Sequence, residues 1–175
     1  MVCPLDAEEI DVKNTLEDPN LFATFVTQNA ECQYGADGIA FDKQGNLYVG
    51  NFGDGEVYKL TFNEDGGLQS NCSFAKDIMK LQSTDGMIFD EKENLYIADF
   101  CANAIIKITP DGEVDRIAQS PDCTGLEGGL DQPGEPIIWN GKIIASCFDL
   151  VTGPGKVNTG HEMPATLAEL QLNLE

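Results

Sequence analysis

Asp37-Gly38-Ile39-Ala40-Phe41-Asp42, followed by Gly45-Asn46-Leu47-Tyr48-Val49, returns 48 residues later as Asp85-Gly86-Met87-Ile88-Phe89-Asp90 and Asn94-Leu95-Tyr96-Ile97. The offset holds through Lys59 and Lys107. A weaker copy, Glu135-Pro136-Ile137-Ile138-Trp139-Asn140 and then Lys142-Ile143-Ile144-Ala145, follows about 50 residues further on. A period of this length, built from short strands and turns, is the signature of a propeller blade. The expected fold is therefore all-β: a β-propeller with about three blades in this chain.

Working outward, residues 1–20 read as an acidic N-terminal arm and 21–175 as blades, with units near 37–84, 85–134 and 135–172. Leu21 to Val26 reads as a strand ahead of the first unit. Within the units, strands are expected near 37–42, 46–50, 56–61 and 68–75, then 85–90, 94–98, 104–109 and 113–118, then 136–140 and 143–147. Lys43-Gln44-Gly45, Asn63-Glu64-Asp65-Gly66-Gly67 and Pro110-Asp111-Gly112 supply the turns. Thr152-Gly153-Pro154-Gly155 reads as a further turn, and Thr166 to Leu172 as an outer strand or a short helix. Ile105-Ile106 and Ile143-Ile144 are apolar on both faces, as strands packed between neighbouring sheets must be. Three blades leave two open flanks. A second copy, a longer chain or an irregular fourth blade would each cover them.

Composition bounds the partners. Thirty acidic residues against ten basic ones give a formal net charge of −20, which repels phosphate backbones and speaks against nucleic acid. No apolar run approaches the roughly 18–20 residues of a membrane span, so no membrane partner is expected. Met1 to Asp6 shows no signal-peptide pattern. Six cysteines favour an oxidising compartment, extracellular or periplasmic, over the cytoplasm. A Cys101–Cys147 bridge and isolated thiols both remain open. There is no CxxC and a single histidine, His161, so zinc spacing is missing and His161 reads as a surface loop residue.

The acidic residues carry the chemistry. Inner strands of successive blades begin around one axis, which would bring Asp37, Asp85 and Glu135 toward a common point. Carboxylates held together disfavour ionisation unless a cation intervenes, and oxygen donors suit Ca²⁺ or Mg²⁺. Asp85 is the candidate metal ligand and catalytic base, Asp37 a second ligand and Glu135 a third. The competing reading is that Asp before Gly only builds a turn. Asn51 and Asp99, 48 residues apart and each followed by Phe, either bind substrate at the channel mouth or cap the strand end while Phe52, Phe100 and Phe148 pack between blades. Asp42 and Asp90 read as turn residues.

The stretches 35–49 and 84–99, continuing through Ile108-Thr109-Pro110-Asp111-Gly112, resemble blades of the senescence marker protein/gluconolactonase family, over roughly residues 20–172; NHL-repeat blades are similar. The resemblance implies the C-terminal half of a six-bladed, calcium- or other divalent-metal-dependent hydrolase of lactones or related esters. It implies a metal at the channel mouth held by a Glu, an Asn before Gly and an Asp before Gly. Asp37 stands where the Asn is usual, Asp85 where the Asp is, and Glu135-Pro136…Trp139 is similar to the segment carrying the Glu. The rival function is a non-catalytic half-propeller serving as a binding or scaffold module.

Overall fold

The computed structural model of the chain describes residues 8–13, 15–75, 81–150 and 164–172. Their strands form three antiparallel sheets, each a meander in chain order. The first holds β1 (Ala36–Phe41), β2 (Leu47–Asn51), β3 (Glu56–Phe62) and β4 (Leu68–Ser73). The second holds β5 (Met87–Phe89), β6 (Leu95–Asp99), β7 (Ala104–Ile108) and β8 (Val114–Gln119). The third holds β9 (Pro133–Trp139), β10 (Lys142–Cys147) and β11 (Leu167–Gln171). All-β blades of a propeller are thus present, and β11 settles the Thr166–Leu172 ambiguity as strand. His161 and the Thr152–Gly155 turn lie outside the described residues.

Side chains on a strand alternate between faces, so each blade has one face for the blade before it and one for the blade after. Leu95 and Ile97 of β6 meet Tyr48 and Val57 of the first blade, while Tyr96 and Ala98 meet Ile143 and Ala145 of the third. Every residue of β6 is buried. That is why this strand is apolar throughout rather than alternating. Ile105 and Ile106 divide the same way, one into each interblade core.

The tight turns repeat almost atom for atom. Asp42 Oδ1 accepts the N–H groups of Gln44 and Asn46 at 3.0 and 2.8 Å, and Oδ2 accepts the Asn46 amide at 2.7 Å. Asp90 does the same with Lys92 and Asn94, at 2.8 Å in all three bonds. Tyr48 and Tyr96 hydroxyls donate to the same carboxylates. Both aspartates are turn residues, as the sequence indicates.

Two expectations need correction, and one open alternative is decided. Leu21–Val26 joins no sheet; it lies along the outer half of the first blade, with Phe22 stacked on Phe62 and Phe25 tilted against Tyr58, centroids 5.7 and 5.1 Å apart. Cys101 and Cys147 do not bridge one another. Cys147 closes β10 with its side chain in the interblade core, whereas Cys101 sits in the short 3₁₀ turn after β6. Finally, Glu135 is not the counterpart of Asp85. The β1–β2 pairs Ala36↔Asn51 and Ile39↔Val49 correspond to Pro133↔Cys147 and Pro136↔Ala145 in the third blade. Asp37-Gly38 therefore matches Gly134-Glu135, and the third blade reverses the order of acid and glycine.

Candidate metal and catalytic site

Asp37 lies in the stretch of β1 where pairing slips between Ala36 and Ile39, and Asp85 stands two residues before the start of β5. Glu135 occupies the matching slip of β9, where its N–H donates to Ser146 Oγ at 3.1 Å. Bulges of this kind free a side chain from the ladder and re-aim it. The three positions then approach from blade to blade. A Cβ at Gly38 would stand 2.1 Å from the Asp85 carbonyl oxygen, and one at Gly86 would stand 2.1 Å from Glu135 Oε2. The Gly86 N–H donates to the Gly134 carbonyl at 2.8 Å. Glycine is required here by close backbone approach between blades, a role that the turn reading of Asp-Gly does not capture.

Electrostatics link the three carboxylates. Burial first, then the negative charge of Asp37 and, more weakly, that of Glu135 push Asp85 up to about 6, against the pull of the Gly86 N–H, which donates to its Oδ1 at 2.9 Å. Burial, then Asp37, raise Glu135, and burial raises Asp37. Desolvation and like charges both favour the protonated acid, and a cation would relieve both. The donor set is all oxygen and suits a hard ion. Even so, among the described residues no three His, Cys, Asp or Glu side chains form a group arranged to hold a metal. The carboxylates are electrostatic neighbours, not a closed coordination shell.

Asn51 and Asp99 are fully buried. Asp99 accepts the N–H groups of Gln82 and Ser83 and the Ser83 hydroxyl at 2.9, 2.9 and 3.0 Å. Asn51 accepts the Thr27 hydroxyl at 2.9 Å and reaches the Val26 carbonyl. Their side chains fasten the segment entering each blade, so the substrate-binding option finds no exposed group at either position. Their phenylalanine neighbours form a ladder across the blades: Tyr34, Phe52, Phe100 and Phe148 follow one another at 5.8, 5.7 and 6.1 Å. Ser83 and Ser146 also serve this region and were not legible beforehand, since nothing in a lone serine marks it. A cavity of about 580 Å³ lies under the N-terminal arm, lined by Val12, Leu16, Leu21 and Phe22 among others, and includes none of the three carboxylates.

No protein-family model matches the chain, and no curated protein does either. Solved structures do resemble it. A gluconolactonase from Xanthomonas campestris superposes with a TM-score of 0.59 at 16% identity, over 81% of this chain and 46% of that one. A calcium-binding protein, regucalcin, from Agrobacterium tumefaciens gives 0.55 at 16%, over 79% and 46%. A luciferin-regenerating enzyme gives 0.54 at 19%, over 73% and 48%. The chain spans less than half the length of these proteins. At such identities the likeness is one of fold, and that fold is part of a β-propeller.

Proposed function

We propose that the chain carries part of a divalent-cation centre that hydrolyses a lactone or related ester at the mouth of a propeller channel. The supporting observation is the gathering of Asp37, Asp85 and Glu135 on or just ahead of successive inner strands, with Asp85 raised to about 6. Asp85 and Asp37 would contribute ligand oxygens, with Glu135 as a third donor, to Ca²⁺ or Mg²⁺. A bound cation of this kind polarises an ester carbonyl toward attack. Asp85 is also the group best suited to take a proton from water, because its affinity for protons lies near neutrality. The Gly86 N–H fixes one oxygen of that carboxylate and leaves the other available.

The experiment is hydrolysis of a panel of γ- and δ-lactones with calcium or magnesium and with chelator, using the parent chain and Asp85→Asn. Turnover that needs the cation and disappears in Asp85→Asn supports the proposal. Equal turnover in chelator, or none with any cation, removes it. A second reading, a non-catalytic half-propeller that binds a partner or its own copy, is favoured by the exposed Ile39 and Phe41 on one flank and Ile137 and Trp139 on the other.

A further inference from the structure

The strand inventory is uneven in an informative way. Among the described residues the first two blades have four strands and the third has three, with β11 at its edge. Blade for blade, the missing element is the outermost strand, the one that β4 and β8 supply. Leu21–Val26 stands 48 residues before Gln69–Phe74, which is the place of β4 in the repeat. Its seat is also that of an outer strand. Phe74 packs on the core that contains Ile106, and Phe25, one residue out of the 48-residue register with Phe74, packs on Tyr58, the residue 48 positions before Ile106. The first blade is thus preceded by a segment that joins no described sheet and lies where the outer strand of a preceding blade would lie.

We propose that a second copy of this chain fills both gaps: its β9, β10 and β11 stand ahead of the first blade, and Leu21–Val26 pairs with its β11 as the fourth strand. A twofold axis makes the exchange reciprocal, so each copy donates one outer strand and accepts one. The result is a ring of six blades with four strands each and no open sheet edge at the junctions.

The exposed apolar side chains fit this arrangement. Ile39 and Phe41, each 62% exposed, correspond to Met87 and Phe89, which in the second blade pack against the blade before it. The partner face is that of Ile137, Trp139, Ile144 and Leu167, which the pairs Ile137↔Ile144 and Leu167↔Ser146 place on one side of the third blade. Of these, Trp139 is 57% exposed and Leu167 70%. Covering the five exposed side chains in both copies, at roughly 100 Å² each, removes on the order of 1,000 Å² over the two junctions, the lower limit for a specific interface. Lys142 and Glu169 on the same face already neutralise one another at 2.6 Å. The inference does not rest on the metal chemistry and is tested without metal.

The test is sedimentation of the full chain in chelator over a range of micromolar concentrations, with hydrogen exchange and the emission of Trp139, the sole tryptophan. A species of twice 19.0 kDa is expected, with blue-shifted tryptophan emission and slowed amide exchange in Leu21–Val26 and Leu167–Gln171, all lost together on dilution. Trp139→Glu, at an exposed position, should weaken the dimer at least about tenfold. Neighbouring amides of a strand point to opposite sides, so one of Ala23→Pro and Thr24→Pro should do the same. A monomer at every concentration would overturn the proposal. So would a dimer in which both segments exchange freely and the proline variants have no effect. Either failure leaves the lactone assay unaffected, and a failed lactone assay leaves this dimer unaffected.

Discussion

Asp42 and Asp85 are the same residue type beside equivalent inner strands, and their surroundings drive them in opposite directions. Burial pushes Asp42 up, but hydrogen bonds from Asn46 and the charge of Lys59, 3.4 Å away, outweigh it and hold the carboxyl below its usual range. Its contribution to stability is present above the unfolded value near 4 and is lost as pH falls through the lower folded value. Asp85 has the opposite sign: raised to about 6, it makes the fold less stable as pH climbs from about 4 to about 6. In metal-free protein, Asp85→Asn should therefore raise stability at pH 7 by about 1 kcal/mol, after allowing for its partial exposure, and flatten the pH dependence below 6. Asp42→Asn should instead cost about 1–2 kcal/mol. Urea melts at pH 4 and 7 check both. Gly38→Ala should cost about 1–3 kcal/mol, since its Cβ would meet the Asp85 carbonyl, which is backbone and cannot swing aside. The turn aspartates were legible because a side chain that bonds its own turn needs only local sequence. Asn51 and Asp99 were ambiguous because their partners, Thr27 and Ser83, lie in other segments.

Among the elements, β6 carries the largest share of the interblade packing. Ile97→Ala should cost about 2–5 kcal/mol, whereas Ile117→Ala on the half-exposed β8 should stay within about 0.5 kcal/mol, as chemical melts would show. The repeat of 48 residues revealed the strands of the first two blades because both have the same Asp-to-Asn turn. It failed at β9 for a local reason. There the hairpin shortens to Asn140-Gly141, both with positive φ (48° and 73°), in place of the longer Asp90–Asn94 turn. β10 keeps the 48-residue spacing, so that Leu95 and Ile97 match Ile143 and Ala145, while β9 slides by one residue. Sequence comparison followed the apolar pattern of β9 and placed Glu135 opposite Asp85. The pairing register instead gives Glu135 the place of a glycine. Leu21–Val26 was legible as strand-type sequence, but its ladder partner is not among the described strands.

At the scale of the molecule, a formal charge of −20 acts on every association the chain makes. Two such copies repel, and screening should therefore favour their union: raising salt from about 0.02 to 0.3 M should tighten the dimer, a trend that sedimentation at fixed concentration reads directly. The same charge attracts cations to the whole surface, so weak uptake of calcium would say nothing about Asp37, Asp85 and Glu135. Specificity is what separates a centre from an atmosphere. The most direct measurement is calorimetric titration of calcium into the metal-stripped full chain at moderate salt, beside Asp85→Asn and Asp42→Asn. The account predicts saturable binding that falls at least about tenfold in Asp85→Asn and persists in Asp42→Asn. Binding that never saturates, or equal affinity in all three proteins, would contradict it.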